Sequence, residues 1–305
     1  MGKSEIKTID INDKKYPKTL KGALMCLVPS MGPKKLYYRG NWDEDIFKNC
    51  LAVVGSRHLT RYGRQATEQI VAECAAAGIT IVSGFMYGGD EAAHSACVKS
   101  GGRTIAVMPC GIDLIFPSQQ KELYQKILDN KGLIISEYEP GFKPTNYSFV
   151  QRDRIVAGLS KAVLVTEAAL NSGSLITANY AKKYGRKIFA LPGQITSEVS
   201  KGTLMLIKEG AELVIEAKDI LSFYKILLNQ KKIPTLYSSN SLLSNNLINK
   251  NSLEEKIINC LKREPMNADD MSRLFAVSVA HLGTTLSLMQ LKGIINQESG
   301  KYYLN

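Results

Sequence analysis

Long apolar runs are missing from this 305-residue chain. None approaches the ~18–20 residues that span a bilayer, so no membrane helix is expected. The opening residues, Met1-Gly2-Lys3-Ser4-Glu5-Ile6, lack the apolar core of a secretion signal. They also lack the Ser or Thr that N-myristoylation favours, and a cytoplasmic location is expected. Cysteine is sparse and scattered, at positions 26, 50, 74, 97, 110 and 260, with no C-x-x-C pair. Histidine is limited to His58, His94 and His281. This usage excludes a disulfide framework, fits a reducing compartment and offers no metal cage. Cys50 and Cys110 lie in or beside strand-like runs and read as small buried thiols. No cofactor is expected.

An excess of acid is also lacking. Lys and Arg number 39 against 28 Asp and Glu, a net charge of +11 that favours polyanions, nucleic acid first. A merely lysine-rich surface would give the same sum. The distribution is uneven: residues 251–305 balance six basic against six acidic groups, so the positive balance lies ahead of them.

Apolar strands alternating with helical stretches are what the chain does have. Strand runs fall at 51–54, 79–82, 104–108, 133–136, 162–166, 187–191 and 212–215. Helical spacing falls at 60–77, 90–100, 119–128 and 175–183, and from 217 onward. Strands that are apolar throughout are covered on both faces, which predicts a doubly wound parallel α/β sheet. Residues 1–45, broken by Pro17, Pro29, Gly32 and Pro33, read as an irregular N-terminal cap. Residues 46–228 form the α/β domain. Residues 229–251, rich in Asn, Ser and Lys, read as a flexible linker. Residues 252–305 carry helical patterns from 253, at 268–275 and at 279–292, then a hairpin around Ser299-Gly300. That is a winged-helix shape. Its third helix starts without Arg or Lys, which suits a protein contact better than duplex reading.

In a doubly wound sheet the loops at the strand C-termini crowd one edge, where ligands bind. Gly55-Ser56-Arg57 there offers amides and a guanidinium to a phosphate. Ser83-Gly84 and Ser172-Gly173-Ser174 are further anion nests, and Lys201-Gly202-Thr203 opens another helix. Asn146 and Phe149 precede Arg152 and Arg154, pairing an aromatic ring with cations, as single-stranded nucleic acid requires. Each turn also has a plain structural reading, and an exposed Arg57 in a tight turn is one. Asp90 and His94 share a helix face and could be an acid/base couple or a buried structural pair. Glu167 could be a catalytic carboxylate or a partner of Arg154.

The motifs in order are Ala52-Val53-Val54-Gly55-Ser56-Arg57, Gly102-Arg103-Thr104-Ile105-Ala106-Val107, Ile135-Ser136-Glu137-Tyr138, Arg154-Ile155-Val156-Ala157-Gly158-Leu159-Ser160, Val165-Thr166-Glu167-Ala168 and Ala190-Leu191-Pro192-Gly193. Together with Leu36-Tyr37-Tyr38-Arg39-Gly40-Asn41 they resemble the DprA/Smf family over nearly the whole chain. The resemblance implies an extended Rossmann-like domain that binds single-stranded DNA, forms a homodimer and loads the RecA recombinase on incoming strands of natural transformation, without catalysis. It carries phosphate binding to Arg57 and base contact to Phe149. The chain departs from the family pattern at Phe85 to Gly89, at Val150, Gln151 and Leu204, and at Asp153, an acid between two arginines. A nucleotide-processing enzyme or nucleotide sensor on a related fold is the alternative. Against it, the 167–174 loop lacks the glycine pair and spaced glutamate of nucleotide phosphoribohydrolases.

Overall fold

The structure is a computed structural model that describes residues 5–25, 33–226, 253–298 and 300–304. The chain divides into two compact units, Met1–Tyr237 and Ser238–Asn305. In the first unit the order is β1 (Lys7–Asp10), α1 (Lys18–Met25), β2 (Lys35–Gly40), β3 (Cys50–Val54), α2 (Arg61–Ala76), β4 (Thr80–Ser83), α3 (Gly89–Lys99), β5 (Thr104–Val107), α4 (Lys121–Asp129), β6 (Leu133–Ser136), α5 (Asn146–Leu159), β7 (Ala162–Val165), α6 (Ser174–Lys183), β8 (Lys187–Ala190), α7 (Lys201–Lys208), β9 (Glu212–Leu213) and α8 (Ala217–Phe223).

The strands form one sheet in the order β1-β2-β6-β5-β4-β3-β7-β8-β9. From β6 to β9 all neighbours are parallel. Alternate residues of a strand face opposite sides, and β3 shows what this does. Leu51 and Val53 pack with Ile70, Val71 and Cys74 of α2 and Ile220 of α8. Cys50, Ala52 and Val54 pack with Leu20 of α1, Ile155 and Val156 of α5 and Ala178 of α6. Both sheet faces are therefore covered, which is why these strands have no polar alternation. Cys50 and Cys110 are buried.

The chain winds outward from β3 through β4 and β5 to β6, then returns through α5 to β7 on the other side of β3. The β3/β7 junction is thus the point where winding reverses, and a crevice opens there beyond the strand ends.

Two expectations need correction. The described residues of the 1–45 segment are not irregular throughout. β1 and β2 pair antiparallel, and β2 pairs antiparallel with β6, extending the sheet. Ile9, Tyr16, Leu20 and Leu36 belong to its core. Short strands with exposed lysines on a sheet edge carry little apolar signal. Gly40 ends β2 at φ +102°, where a side chain would strike the Gly132 carbonyl. The second correction is α5, which begins at Asn146 and is absent from the helical stretches read in the sequence. Thr145 accepts from Ser148 N–H while the Ser148 hydroxyl accepts from Thr145 N–H, a reciprocal cap.

The second unit holds α9 (Leu253–Leu261), α10 (Ala268–Phe275), α11 (Val279–Leu291) and the antiparallel hairpin β10 (Ile295–Glu298) and β11 (Lys301–Leu304). Asn267 and Ser278 cap α10 and α11, and the chain bends by 117° between these helices. Ile257, Leu261, Met271, Leu282, Leu286, Met289 and Ile295 form its core. The 229–251 linker lies outside the described residues. No single described helix is long and apolar enough to cross a membrane.

Candidate functional site

A cavity of about 430 Å³ fills the β3/β7 crevice. The turn after β3 supplies Gly55, Ser56 and Arg57, the turn after β4 supplies Gly84 and Met86, and the first turn of α3 supplies Asp90. Helix α5 supplies Asn146, Phe149, Val150, Arg152 and Asp153. Asn171 to Ser174 and the first turn of α6, with Ile176 and Thr177, close the far wall. The turns are stitched together: Ser56 N–H donates to the Glu167 carbonyl at 2.7 Å, and Gly89 N–H donates to the Ser56 carbonyl at 3.0 Å. A Cβ at Gly55 would strike the Thr166 hydroxyl, so this approach requires glycine. Helix α6 has no side-chain cap on its N-terminus, so its positive end opens on the cavity.

Arg57 is exposed on the rim, with its guanidinium 5.2 Å from the Phe149 ring centre. Phe116 packs against the same ring at 5.8 Å. Rim cation and ring together match what a phosphate with its base needs.

Arg152 and Arg154 do something different. Arg152 is buried and its Nη1 donates to the Gly84 carbonyl and, at 2.7 Å, to the Val107 carbonyl. Its Nε donates to Asp153 Oδ1 at 3.0 Å. It borders the cavity but ties the ends of β4 and β5 together. Arg154 does not line the cavity: it donates to Glu137 Oε2 and, at 3.1 Å, to Gln151 Oε1. Ser83 is buried and does not line the cavity, its hydroxyl donating to the Val53 carbonyl at 2.6 Å. Lys201 pairs with Glu198 outside it. The remaining sequence-derived residues, Gly55, Ser56, Arg57, Gly84, Asn146, Phe149, Arg152, Ser172, Gly173 and Ser174, converge on the one cavity.

The titratable candidates resolve into structural roles. Thr104 Oγ1 donates to the Ile81 carbonyl at 2.8 Å, so its 2.8 Å contact with His94 is a bond donated by Nδ1–H. Burial pushes the His94 imidazole down to about 3 and leaves it neutral. Asp90 accepts from Met86 N–H at 3.2 Å, not from His94. Burial pushes its carboxyl up, against the pull of Arg152. Asp153 is pushed up to about 6 by burial, again opposed by Arg152. Glu167 does not pair with Arg154. It accepts from Thr60 N–H at 2.9 Å and the Thr60 hydroxyl at 2.6 Å, anchoring the start of α2. The sequence reading missed Asn171 and Thr177 as cavity residues; their place in the same post-β7 segment was the available signal.

A doubly wound sheet with a crevice at its switch point, walled by glycine turns, defines a Rossmann-like α/β protein. The particular family follows from comparison. This chain belongs to the DNA recombination-mediator protein A family, whose model matches residues 7–225. It is 35% identical over 318 residues to Protein Smf of Synechocystis sp., covering 96% of this chain and 78% of that one. It is 42% identical over 193 residues to the DNA processing protein DprA of Streptococcus pneumoniae, covering 63% and 67%. The solved S. pneumoniae DprA superposes with a TM-score of 0.65 at 36% identity, over 73% of this chain and 75% of that one. Helicobacter pylori DprA, solved for its single-stranded DNA binding mode, gives 0.63 at 32% identity, over 72% and 96%.

Proposed function

We propose that this protein binds single-stranded DNA in the β3/β7 crevice and acts as a mediator that protects incoming strands and delivers them to RecA. Phosphates sit against Arg57, the Gly55-Ser56 turn and the N-terminus of α6, and a base stacks on Phe149. The convergence of three separate turns, helix α5 and one rim cation on a single cavity carries this reading. The related H. pylori protein, whose printed subject is single-stranded DNA binding, supports it. The protein works as a homodimer in the cytoplasm, and binding involves no covalent step.

A titration of single-stranded and duplex oligonucleotides at two salt concentrations tests the reading. Single strands are expected to bind tighter, with affinity falling as salt rises. A RecA filament assay on strands coated with a single-strand-binding protein tests delivery, and unchanged filament growth would remove the mediator role. The cavity volume also lies within the ~300–1,000 Å³ range of small-ligand sites. Saturable binding of a mononucleotide without oligonucleotide binding would favour the nucleotide-sensor alternative.

A further inference from the structure

Four residues lining the crevice carry formal charge: Arg57, Asp90, Arg152 and Asp153. Fully ionised they sum to zero, which is an unexpected balance for a site that takes an anion. The balance is local, since the whole chain carries +11. Arg152 is also committed, holding two backbone carbonyls and the Asp153 carboxylate.

We propose that Asp153 sets the affinity of this crevice, neutralising Arg152 while ionised, and that a phosphate-bearing ligand enters together with one proton taken up by the Asp153 carboxyl. This rests on the single-stranded DNA reading above. The proton comes from solvent and bonds to a carboxylate oxygen. The resulting acid is a donor, able to hydrogen-bond the entering phosphate, and the crevice then carries one positive charge. Arg152 keeps its bonds to Gly84 and Val107 throughout.

The geometry supplies the reason that Asp153 is the group to respond. Its side chain is 15% exposed at the cavity wall, against 5% for Arg152. Three charged groups act on it: Arg152 on its own helix, Arg57 from the turn after β3, and Asp90 from α3. Facing α6 brings its positive N-terminal end and Ser174, Ile176 and Thr177, none of them titratable, to the cavity, and the β4 and β5 ends present carbonyls to Arg152. Burial together with Asp90 already lifts the carboxyl to about 6, close enough to neutrality for a ligand to complete the protonation. An adjacent phosphate raises it further.

The test measures oligothymidylate binding from about pH 7.5 to about pH 5.5 at constant ionic strength. Wild-type affinity is expected to rise about tenfold across this range, within the limit of tenfold per pH unit that one proton sets. Asp153→Asn retains an acceptor for Arg152; it should bind tighter than wild type at the upper pH and lose most of the slope. Two other groups can take up a proton here. Asp90 also lines the crevice, and burial pushes its carboxyl up. The other is a histidine, His58, beside Arg57 on the exposed rim. Asp90→Asn, which keeps an acceptor for Met86 N–H, and His58→Gln are therefore run in parallel, and both are expected to keep the slope. Calorimetry of the wild type in two buffers of different ionisation enthalpy reads proton uptake directly, without any variant, and uptake is expected. A wild-type slope that survives Asp153→Asn, or binding with no proton uptake, overturns the proposal and leaves the DNA reading standing. Absence of oligonucleotide binding at every pH removes both.

Discussion

Arg57 on the β3 turn and Arg152 on α5 border the same cavity, yet they do opposite work. Arg57 is exposed, touches a ring and carries a charge that solvent and ligand can reach. Arg152 is buried and spends its donors on two backbone carbonyls and a carboxylate. A guanidinium without carbonyl partners is free to bind; one that supplies missing hydrogen bonds to strand ends is part of the scaffold. The contrast shows that lining a candidate binding cavity does not by itself make an arginine a ligand.

Arg152→Ala gives the largest expected effect and would break the comparison if it did not. It leaves the Gly84 and Val107 carbonyls without this donor and strips Asp153 of its cation. Removing one partner of a buried ion pair costs about 3–5 kcal/mol. The expected outcome is a large drop in the urea midpoint, or a chain that does not fold. A variant that melts like the parent while losing DNA affinity would make Arg152 a ligand after all.

The next effect concerns pH. Folded His94 resists protonation down to about 3, whereas an unfolded histidine takes a proton near 6.5. The lowered pKa means the unfolded state binds more protons through this window, so His94 subtracts stability as pH falls from about 6.5 toward about 3. Urea midpoints at pH 7 and pH 5 check this. The loss between them should shrink in His94→Gln, which has no titrating ring. Asp153 acts in the opposite sense: its raised pKa makes the folded state the better proton acceptor, so it adds stability as pH falls through about 6. A pair of measurements on His94→Gln and Asp153→Asn separates the two.

The strand alternation, the edge where the cavity opens and ten of the residues that line it were legible in the sequence. Apolar runs and glycine turns are local signals. The division of labour among the arginines was not. Arg152 and Arg154 are two apart on a helix that turns about 100° per residue, so their side chains diverge by about 200°. One reaches Gly84 and Val107; the other reaches Glu137. The sequence reading took them as one pair of cations beside Phe149. Glu167 was misassigned because its partner Thr60 lies 107 residues away, a distance no spacing rule bridges. The N-terminal strands were hidden because β1 buries only Ile9.

Arg57→Ala is expected to change stability by less than about 0.5 kcal/mol, as for other exposed positions. Its single-strand affinity should fall roughly tenfold or more, since a charge-assisted bond contributes about 1.5–3 kcal/mol. A shallower salt dependence should accompany the loss. Unchanged binding would move the phosphate site away from the β3 turn.

Lys201 gives the smallest expected effect and tests how far the binding surface extends. Its ammonium pairs with Glu198, whose side chain is 76% exposed, and neither lines the crevice. Surface pairs of this kind contribute about 0–1 kcal/mol to stability. Lys201→Ala should therefore melt close to the parent and bind oligonucleotides within about twofold of it, because the removed charge is already countered by its partner. Glu198→Gln sharpens the point: freeing the Lys201 charge should raise affinity only if the strand passes over α7. A loss in Lys201→Ala comparable to that in Arg57→Ala would extend the rim along α7 and make a second exposed cation its equal.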